Sequence, residues 1–326
     1  MTATSANSEK HAVLLLAHGS PERLEDIPDF LRNVSGGRSI SQFAVEEVKR
    51  RYMQVGRSPL TEMTMNQARA LARELGVPVY VGMRNWRPYI ADVVQQMAAD
   101  GVTQAVIICL APQNSCTSVG LYRKAVMGET GTPFDIDFVE SWHDHPLLVR
   151  AFAEKLSAGW KRACAQAGVE IPVIFTAHSV PQRAVAHGDA YERQAKETAA
   201  LVAQAVQLRP ENWLFAFQSQ GMLGGPWLGP TVEEIILHLK AHSERGVFIQ
   251  PIGFVCDHVE ILYDIDVACK QFAAQQGMDL WRAESLNDSA TFIATLAELA
   301  RSRMRPQQQA ATSQENSLFP SKRNSR

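Results

Sequence analysis

Two short stretches end in the same way, and together they decide the fold. Residues 12–20 read AVLLLAHGS, and residues 173–180 read VIFTAHSV. In each stretch, an apolar run typical of a buried β-strand stops at a histidine, His18 or His178, where a loop should begin. A chain that repeats this arrangement 160 residues apart indicates two halves of similar construction.

Apolar runs alternate with amphipathic stretches along the rest of the chain. A strand followed by a helix, several times over, is typical of parallel sheets with helices on both faces. We therefore predict an α/β fold of two similar lobes, each a parallel β-sheet flanked by helices, with a ligand cleft between them. The predicted strands are 12–17, 78–82, 105–111, 134–139, 172–177, 213–217 and 247–255, and the predicted helices are 90–101, 145–168, 189–208, 231–242 and about 287–304.

The predicted organisation has four parts. They are a disordered N-terminus at 1–10, an N-terminal lobe at 11–165, a C-terminal lobe at 166–304 and a polar, disordered tail at 305–326. In folds of this class, ligands bind beyond the carboxyl ends of the strands. His18 and His178 would both lie there, facing the cleft.

Composition excludes several classes of protein. The chain has 326 residues, is 46% hydrophobic and carries a formal net charge of −2. A nucleic-acid binder would normally be basic, so no nucleic-acid partner is expected. No apolar run approaches the roughly 18 residues of a membrane span, and the N-terminus lacks the apolar segment of a secretory signal. We expect a cytoplasmic protein with no membrane span.

The five cysteines are expected to be free thiols. Their number is odd, and no C-x-x-C pair occurs, which favours reduced thiols over disulfides or a thiolate metal site. They are Cys109, Cys116, Cys164, Cys256 and Cys269. An iron–sulfur cluster needs four thiolates, usually with some close together in sequence, so no cluster is expected.

Carboxylates follow one of the later predicted strands. Asp257, Glu260 and Asp264 are spaced to share one face of a helix that begins after the apolar PIGFV at 251–255. They are either surface charges favoured by the helix dipole or cleft groups that handle protons and a divalent metal.

Basic and aromatic residues occur together in two places. GMRNWRPYI at 82–90 sets Arg84 beside Trp86, which suits either a packed core or a flat anionic ligand. KRRYMQVGRSPL at 49–60 is either a solvated helix face or a cleft lip that attracts carboxylates. The sequence contains no P-loop, no G-x-G-x-x-G after the first strand and no G-x-S-x-G, so nucleotide and hydrolase sites lack support.

Three longer motifs make the chain resemble a ferrochelatase from about residue 12 to about residue 300. They are FTAHSVPQRAVAHGDAY at 175–191, FQSQGMLGGPWLGP at 217–230 and PIGFVCDHVEILYDID at 251–266. LEDIPDFLRN at 24–33, RSPL at 57–60 and YVGMRNWRP at 80–88 add to the resemblance. Within the family, LAPQNSCTSVGLYRKA at 110–125 and VESWHDHP at 139–146 are most similar to the soluble coproporphyrin branch.

The resemblance implies insertion of Fe²⁺ into coproporphyrin III, a macrocycle with four propionates, to give coprohaem in haem biosynthesis. Iron is then a substrate, and no cofactor is required. By motif match, the residues implied to bind propionates are Ser20, Arg38, Arg51, Tyr52, Ser58 and Tyr122. His178 and Glu260 are implied as the catalytic pair that also handles the metal, with Asp264 as an outer carboxylate.

His18 is a departure from that branch, which often has a tyrosine before the first glycine. It is interpreted as an iron ligand on the other face of the ring or as a hydrogen-bonding residue behind the metal. The hypothesis for the mechanism is that the cleft bends the ring, with Met83 and Trp86 as apolar walls. His178 then accepts a pyrrole proton, and Glu260 relays it or carries the metal.

Three other functions fit the same residues. They are a protoporphyrin IX ferrochelatase, a sirohydrochlorin cobalt or iron chelatase, which shares the AHGS strand end, and a haem-binding protein without turnover. The expected partners are the porphyrin and ferrous iron, with transient contacts to other haem-pathway enzymes. A monomer is expected, because the cleft needs no second chain to close it.

Overall fold

The computed structural model describes residues 9–128, 131–186, 188–220 and 225–304. The first half of the chain alternates strands and helices, as predicted, but it contains further helices besides the two predicted at 90–101 and 145–168. Its elements are β1 (His11–Ala17), α1 (Ile27–Val34), α2 (Gln42–Val55), α3 (Leu60–Leu75), β2 (Val79–Met83), α4 (Ile90–Ala99), β3 (Gln104–Cys109), α5 (Val119–Met127), β4 (Asp135–Val139) and α6 (Pro146–Ala167). Of the N-terminus predicted to be disordered at 1–10, residues 1–8 lie outside the described residues, as does the tail from 305 on. Lys10 is described, and its backbone N–H donates to the Thr103 hydroxyl at 2.8 Å.

The second half repeats the alternation. Its elements are β5 (Val173–His178), α7 (Gln182–Val185), α8 (Tyr191–Ala205), β6 (Trp213–Gln218), α9 (Val232–Ala241), β7 (Gly246–Pro251), a π-helix (Ile261–Cys269), α10 (Lys270–Gln275), β8 (Asp279–Arg282) and α11 (Ala290–Arg303). Sequence signals set several boundaries: Thr231 and Glu234 form a capping box at the start of α9.

Both halves build a four-stranded parallel sheet with the same strand order. The orders are β2-β1-β3-β4 and β6-β5-β7-β8, so β1 and β5 occupy equivalent central positions. The predicted α/β fold of two parallel sheets is confirmed. The two histidines of the opening motifs therefore belong to equivalent strands. Each strand lies where the chain changes direction across the sheet, first to the neighbour on one side and then to the neighbour on the other, which is where ligands bind in such folds.

One hydrophobic core joins the two sheets. It includes Leu15 and Ile108 from the first sheet, Phe175 and Phe248 from the second, and Phe292 from α11, all fully or almost fully buried. Burial of a side chain of this size contributes roughly 2–3 kcal/mol. The final helix packs against both α3 and α6. The sheets are thereby held at a fixed relative position.

Strand β8 is the one strand of the described chain that the sequence did not predict. Its four residues, DLWR, form an edge strand paired only with β7. A strand of four residues is too short to show the alternation on which sequence prediction depends. Across the described ranges, no helix has both the length and the apolar character needed to cross a membrane.

Candidate active site

A cavity of about 470 Å³ lies at the carboxyl ends of both sheets. Its volume is within the range of small-molecule sites, which is roughly 300–1,000 Å³. Loops that follow β1, β3, β5 and β7 all contribute to its lining. Apolar walls come from both halves of the chain, with Phe30, Leu31, Val34 and Val48 on one side and Val180, Trp227, Phe254 and Val259 on the other.

The two motif histidines reach this cavity with the same ring orientation relative to their own backbone. His18 Nδ1 lies 3.1 Å from the carbonyl oxygen of Gly19, and His178 Nδ1 contacts the carbonyl oxygen of Ser179. A carbonyl only accepts a hydrogen bond, so each Nδ1 carries a proton, and in the neutral form of the ring Nε2 keeps its lone pair. Each neutral ring can therefore accept a proton or bind a metal through Nε2.

A phenylalanine ring contacts each of these imidazole rings. His18 meets Phe30 at 5.8 Å between ring centroids, and His178 meets Phe254 at 6.0 Å, both in edge-to-face geometry. Burial lowers the pKa of His18, and the nearby Arg84 charge lowers it further, although Glu260 opposes both effects. His18 is consequently neutral at physiological pH.

Two glycines allow the loops to approach each other closely behind the histidines. Gly19 has a φ of +83°, and a Cβ there would lie 2.8 Å from the backbone nitrogen of Trp86. At Gly253, a Cβ would lie 3.0 Å from Cα of Ala177. A side chain at Gly19 would force the backbone to shift and would also be strained by the positive φ, and one at Gly253 would press tightly on the backbone of Ala177.

Glu260 is the carboxylate nearest to His178. Its Oε2 lies 3.7 Å from His178 Nε2, and both side chains line the cavity. Burial would raise the pKa of Glu260, but positive charge on the neighbouring imidazoles of His178, His258 and His18 in their protonated forms outweighs it, so that the pKa lies below the usual value. The pair thus places an imidazole nitrogen beside a carboxylate that stays ionised at neutral pH.

The helix that carries these carboxylates has π-type geometry, with the N–H of Lys270 bonded to the carbonyl of Ile265. Such wide turns are rare and often occur at functional sites. Asp264 follows Glu260 by one turn and also lines the cavity. It accepts a hydrogen bond from the Ser219 hydroxyl and lies 3.3 Å from Nη1 of Arg51.

Asp257 does not share a helix face with Glu260 and Asp264, contrary to the sequence prediction. It precedes the helix and lies 3.3 Å from Nη1 of Arg282. It also accepts hydrogen bonds from Ser285 and Asn287, at 2.7 and 3.0 Å. The i, i+3 spacing assumed a helix beginning at Asp257, whereas helical turns begin two residues later.

Ionised Asp264 lowers the free energy of unfolding of the protein. Burial raises its pKa from 3.8 to about 6, with the Glu260 charge adding to the effect. A carboxyl whose pKa is higher in the folded state destabilises the fold when ionised. This cost is absent below the unfolded pKa and fully present above about pH 6.

We expect Asp264→Asn to increase the free energy of unfolding by about 2 kcal/mol at about pH 7.5 and by close to zero at about pH 4. Urea titration of the ligand-free protein at both pH values measures this difference. Asp266→Asn on the same helix is the matched control. Asp266 lies 2.7 Å from Nε of Arg282, so its loss should destabilise the protein. An Asp264→Asn variant less stable than wild type at both pH values would contradict the prediction.

Most of the predicted substrate-binding residues line the cavity. Ser20, Arg51, Tyr52, Ser58, Arg84 and Tyr122 do so together with the catalytic candidates. The Ser20 and Tyr52 hydroxyls lie 2.7 Å apart, and burial raises the pKa of Tyr52 to about 12. The buried Ser58 hydroxyl has no hydrogen-bond partner. These hydroxyl groups are neutral, and each could donate a hydrogen bond to a ligand oxygen.

Three predicted residues do not line the cavity. Arg38 is exposed, with its Nε bonded to the carbonyl oxygen of Ser35 at 2.8 Å. Met83 is fully buried beneath the site, so it supports a wall instead of forming one. Trp86 packs edge-to-face on Phe30 at 6.3 Å between ring centroids. Phe30, and not Trp86, lines the cavity at this place.

His258 is a third cavity histidine that sequence reasoning did not single out. It is 8% exposed, and its Nδ1 accepts the backbone N–H of Glu260 at 3.3 Å. Burial lowers its pKa to about 4, so the ring is neutral with the proton on Nε2, which has no partner. The sequence signal that could have identified His258 is its position two residues before Glu260, in CDHVE at 256–260.

A profile of the ferrochelatase family matches residues 10–304. The chain belongs to the ferrochelatase family. A protein of Acidobacterium capsulatum named ferrochelatase is 53% identical over 308 residues, which cover 90% of this chain and 94% of that protein. The resemblance inferred from the sequence motifs is confirmed, and the protein is a lyase of the porphyrin metal-chelatase type.

Other relatives and structures place the chain within that family and fold. The coproporphyrin III ferrochelatase of a Geobacillus species is 34% identical over 312 residues, covering 91% of this chain and 99% of that protein. The sirohydrochlorin chelatase SirB of Bacillus subtilis subspecies spizizenii, solved with cobalt, has a TM-score of 0.54 at 11% identity, covering 90% and 94% of the two chains. The likeness to SirB concerns the fold, since so low an identity carries no substrate.

Proposed function

We propose that the protein inserts Fe²⁺ into coproporphyrin III to give coprohaem, with release of two protons. The observation that carries this proposal is the His178–Glu260 pair, 3.7 Å apart, in a cavity walled by both halves of the chain. Metal insertion exchanges two pyrrole protons for one dication, so a proton acceptor and an anionic group beside the macrocycle are the chemistry required.

Each residue of the pair has a separate role in this proposal. His178 Nε2 accepts a proton from a pyrrole N–H, because Nδ1 already donates to the carbonyl oxygen of Ser179. Glu260 receives that proton or brings Fe²⁺ to the ring. Asp264, one helical turn farther along, is an outer carboxylate in this proposal. The apolar walls hold the macrocycle from both sides, which allows binding energy to bend it.

The preference for coproporphyrin III rests on the polar lining and on the relatives. Hydroxyl groups of Ser20, Tyr52, Ser58 and Tyr122 and the guanidinium of Arg51 reach the cavity, and such donors suit carboxylates. Several relatives at 32–35% identity are named coproporphyrin III ferrochelatase. Arg38 could join them only if its exposed loop moved toward the cavity.

Iron is a substrate in this proposal, and no resident cofactor or iron–sulfur cluster takes part. Among the described residues, no group of three or more His, Cys, Asp or Glu side chains could hold a metal ion. A pair of ligands binds a passing ion more weakly than a complete set, which suits an ion that must leave for the porphyrin. We further propose that the enzyme acts as a monomer in the cytoplasm, with transient contacts to other haem-pathway enzymes.

Anaerobic Fe²⁺ insertion into coproporphyrin III and into protoporphyrin IX, side by side, tests the proposal. We expect kcat/KM for coproporphyrin III to be larger by at least about tenfold, because two additional carboxylates contribute roughly 1.5 kcal/mol or more through charge-assisted hydrogen bonds. A higher kcat/KM for protoporphyrin IX would assign that substrate instead.

Two further outcomes would replace the proposal. Cobalt insertion into sirohydrochlorin without iron insertion into either porphyrin would assign the protein to the reaction of its structural neighbours. Tight retention of haem without turnover of any porphyrin would make it a haem-binding protein.

A further inference from the structure

Tyr191 is a buried residue of the second half whose hydroxyl reaches the backbone of His178. It is the first residue of α8 and is 7% exposed. Its hydroxyl donates to the carbonyl oxygen of His178 at 2.8 Å. Burial raises the pKa of Tyr191 far above its usual value, so the hydroxyl keeps its proton and remains a donor at physiological pH.

This hydrogen bond fixes one end of the peptide group that joins His178 to Ser179. The other end is fixed as well, because the N–H of Ser179 donates to the carbonyl oxygen of Gln218 at 2.7 Å. The Ser179 hydroxyl adds a third contact, to the carbonyl oxygen of Leu228 at 2.8 Å. A planar peptide group bonded at both ends cannot turn without losing a hydrogen bond. The backbone that follows His178 is therefore held in one orientation.

The orientation of that peptide group decides which nitrogen of His178 is free. The next carbonyl along the chain, that of Ser179, accepts the hydrogen bond from His178 Nδ1. Because this contact keeps the proton of the neutral ring on Nδ1, Nε2 is left as the acceptor beside Glu260. Without the contact, a neutral imidazole can carry its proton on either nitrogen, and a ring protonated on Nε2 cannot accept a pyrrole proton there.

The equivalent carbonyl of the first half is held by the main chain. The carbonyl oxygen of His18 accepts a hydrogen bond from the backbone N–H of Asn85 at 3.0 Å. Both motif histidines thus have a donor at the same main-chain atom. At His178 this donor is the side chain of Tyr191, so a single substitution can remove it without altering the backbone.

Asp189 fixes the position of Tyr191. Its Oδ1 accepts the backbone N–H of Tyr191 at 2.9 Å. Its Oδ2 accepts the backbone N–H of Cys116 at 2.7 Å and the hydrogen bond of the Ser115 hydroxyl at 3.1 Å. Ser115 belongs to the loop after β3 and lines the cavity. One carboxylate therefore ties the start of α8 to the first half of the chain, beside the site.

We propose that Tyr191 is a positioning residue for His178. Its hydroxyl fixes the backbone that keeps the proton of the neutral ring on Nδ1, so that Nε2 is available to a pyrrole N–H. This inference rests on the proposed function, in which His178 accepts that proton. Tyr191 belongs to the cavity lining, but in this role it acts through the main chain of His178 and not on the tetrapyrrole.

Tyr191→Phe removes the hydroxyl and keeps the buried ring. We expect kcat for iron insertion into coproporphyrin III to fall about 5- to 10-fold, because the hydrogen bond that orients His178 is lost. The Kd for metal-free coproporphyrin III, measured by fluorescence titration, should stay within about threefold of the wild-type value. Tyr80→Phe is the matched control. The Tyr80 hydroxyl donates to Asp100 at 2.7 Å, outside the cavity lining, so its removal should change neither quantity.

Histidine NMR adds a readout that a loss of stability alone would not change. In the ligand-free protein labelled with ¹⁵N-histidine, at about pH 8.5 where imidazole is neutral, long-range ¹H–¹⁵N correlations distinguish the two tautomers. The signals that disappear in His178→Ala assign the ring. We expect the Nδ1–H form of His178 alone in wild type and in Tyr80→Phe, and a mixture with the Nε2–H form in Tyr191→Phe.

A double variant tests whether the effect passes through His178. In a His178→Ala background, Tyr191→Phe should lower kcat by less than about twofold, because the ring that Tyr191 positions is absent. An equal loss in both backgrounds would overturn the proposal. So would a Kd for coproporphyrin III raised by more than about tenfold, which would place the hydroxyl on the porphyrin.

The remaining outcomes separate this inference from the proposed function. Full kcat in Tyr191→Phe, or a His178 ring that stays entirely in the Nδ1–H form, would overturn the positioning role while iron insertion by wild type stands. If wild type metallates no porphyrin, the proposed function fails, and the tautomer comparison alone decides whether Tyr191 orients His178.

Discussion

Replacing His178 by alanine is expected to lower kcat for iron insertion into coproporphyrin III by roughly 10²- to 10⁴-fold, the usual contribution of a positioned general base. The reason lies in the geometry of the ring. Its Nδ1 is committed to the carbonyl oxygen of Ser179, so the Nε2 lone pair beside Glu260 is the acceptor available for a pyrrole proton. Anaerobic steady-state kinetics at saturating porphyrin measures the loss.

His18→Ala is the informative comparison for His178→Ala. Both rings carry a free Nε2, but the ionised carboxylate of Glu260 stands 3.7 Å from His178. We therefore expect His18→Ala to lower kcat by no more than about tenfold and to change the absorption spectrum of bound product. His242→Ala is the control for a generic loss of imidazole, because His242 is exposed just after the end of α9. A His178→Ala variant that turns over faster than His18→Ala would reverse the two assignments.

Replacing Glu260 by glutamine is expected to lower kcat by about 10²-fold. The amide has the shape of the carboxylate, but it carries no charge for Fe²⁺ and cannot accept a proton. Because Glu260 is not assigned to the porphyrin periphery, the Kd for metal-free coproporphyrin III should stay within about threefold of the wild-type value.

The matched control for Glu260→Gln is Glu284→Gln. Glu284 is exposed and paired with Lys155 at 2.9 Å, outside the cavity lining, so this variant should retain wild-type kinetics. Asp264→Asn provides a second comparison on the same helix. If Glu260→Gln retained full kcat while Asp264→Asn lost it, the carboxylate assignment would move one turn along the helix.

The parts of the fold and site that could be predicted from the sequence are those that produce a local pattern of residues. Alternating apolar runs and helices predicted seven of the eight strands, because buried parallel strands are continuous apolar segments. The ends of β1 and β5 placed His18 and His178 at the cavity for the same reason. Family motifs supplied Glu260 and the hydroxyl groups around it.

The remaining features depend on distances that no local pattern contains. Nothing in GMRNWRPYI distinguishes Arg84, which lines the cavity, from Arg87, which is exposed. Met83 looked like a cleft wall because it is apolar and near the strand end, but alternation along β2 turns its side chain into the core. Asp257 was misplaced because the first turn of the helix could not be located from spacing alone.

The core that joins the two sheets restricts how a flat macrocycle could enter. A clamshell opening would have to separate Leu15 and Ile108 from Phe175 and Phe248, which would expose much of the interior to water. Helices α1 and α2 form instead a small cluster of their own around Ile27, Val45 and Tyr52. Entry of the ring on the side of these two helices would leave the core between the sheets intact. It would instead have to pass the contacts of Arg50 and Arg51 on α2 with Tyr263 of the π-helix.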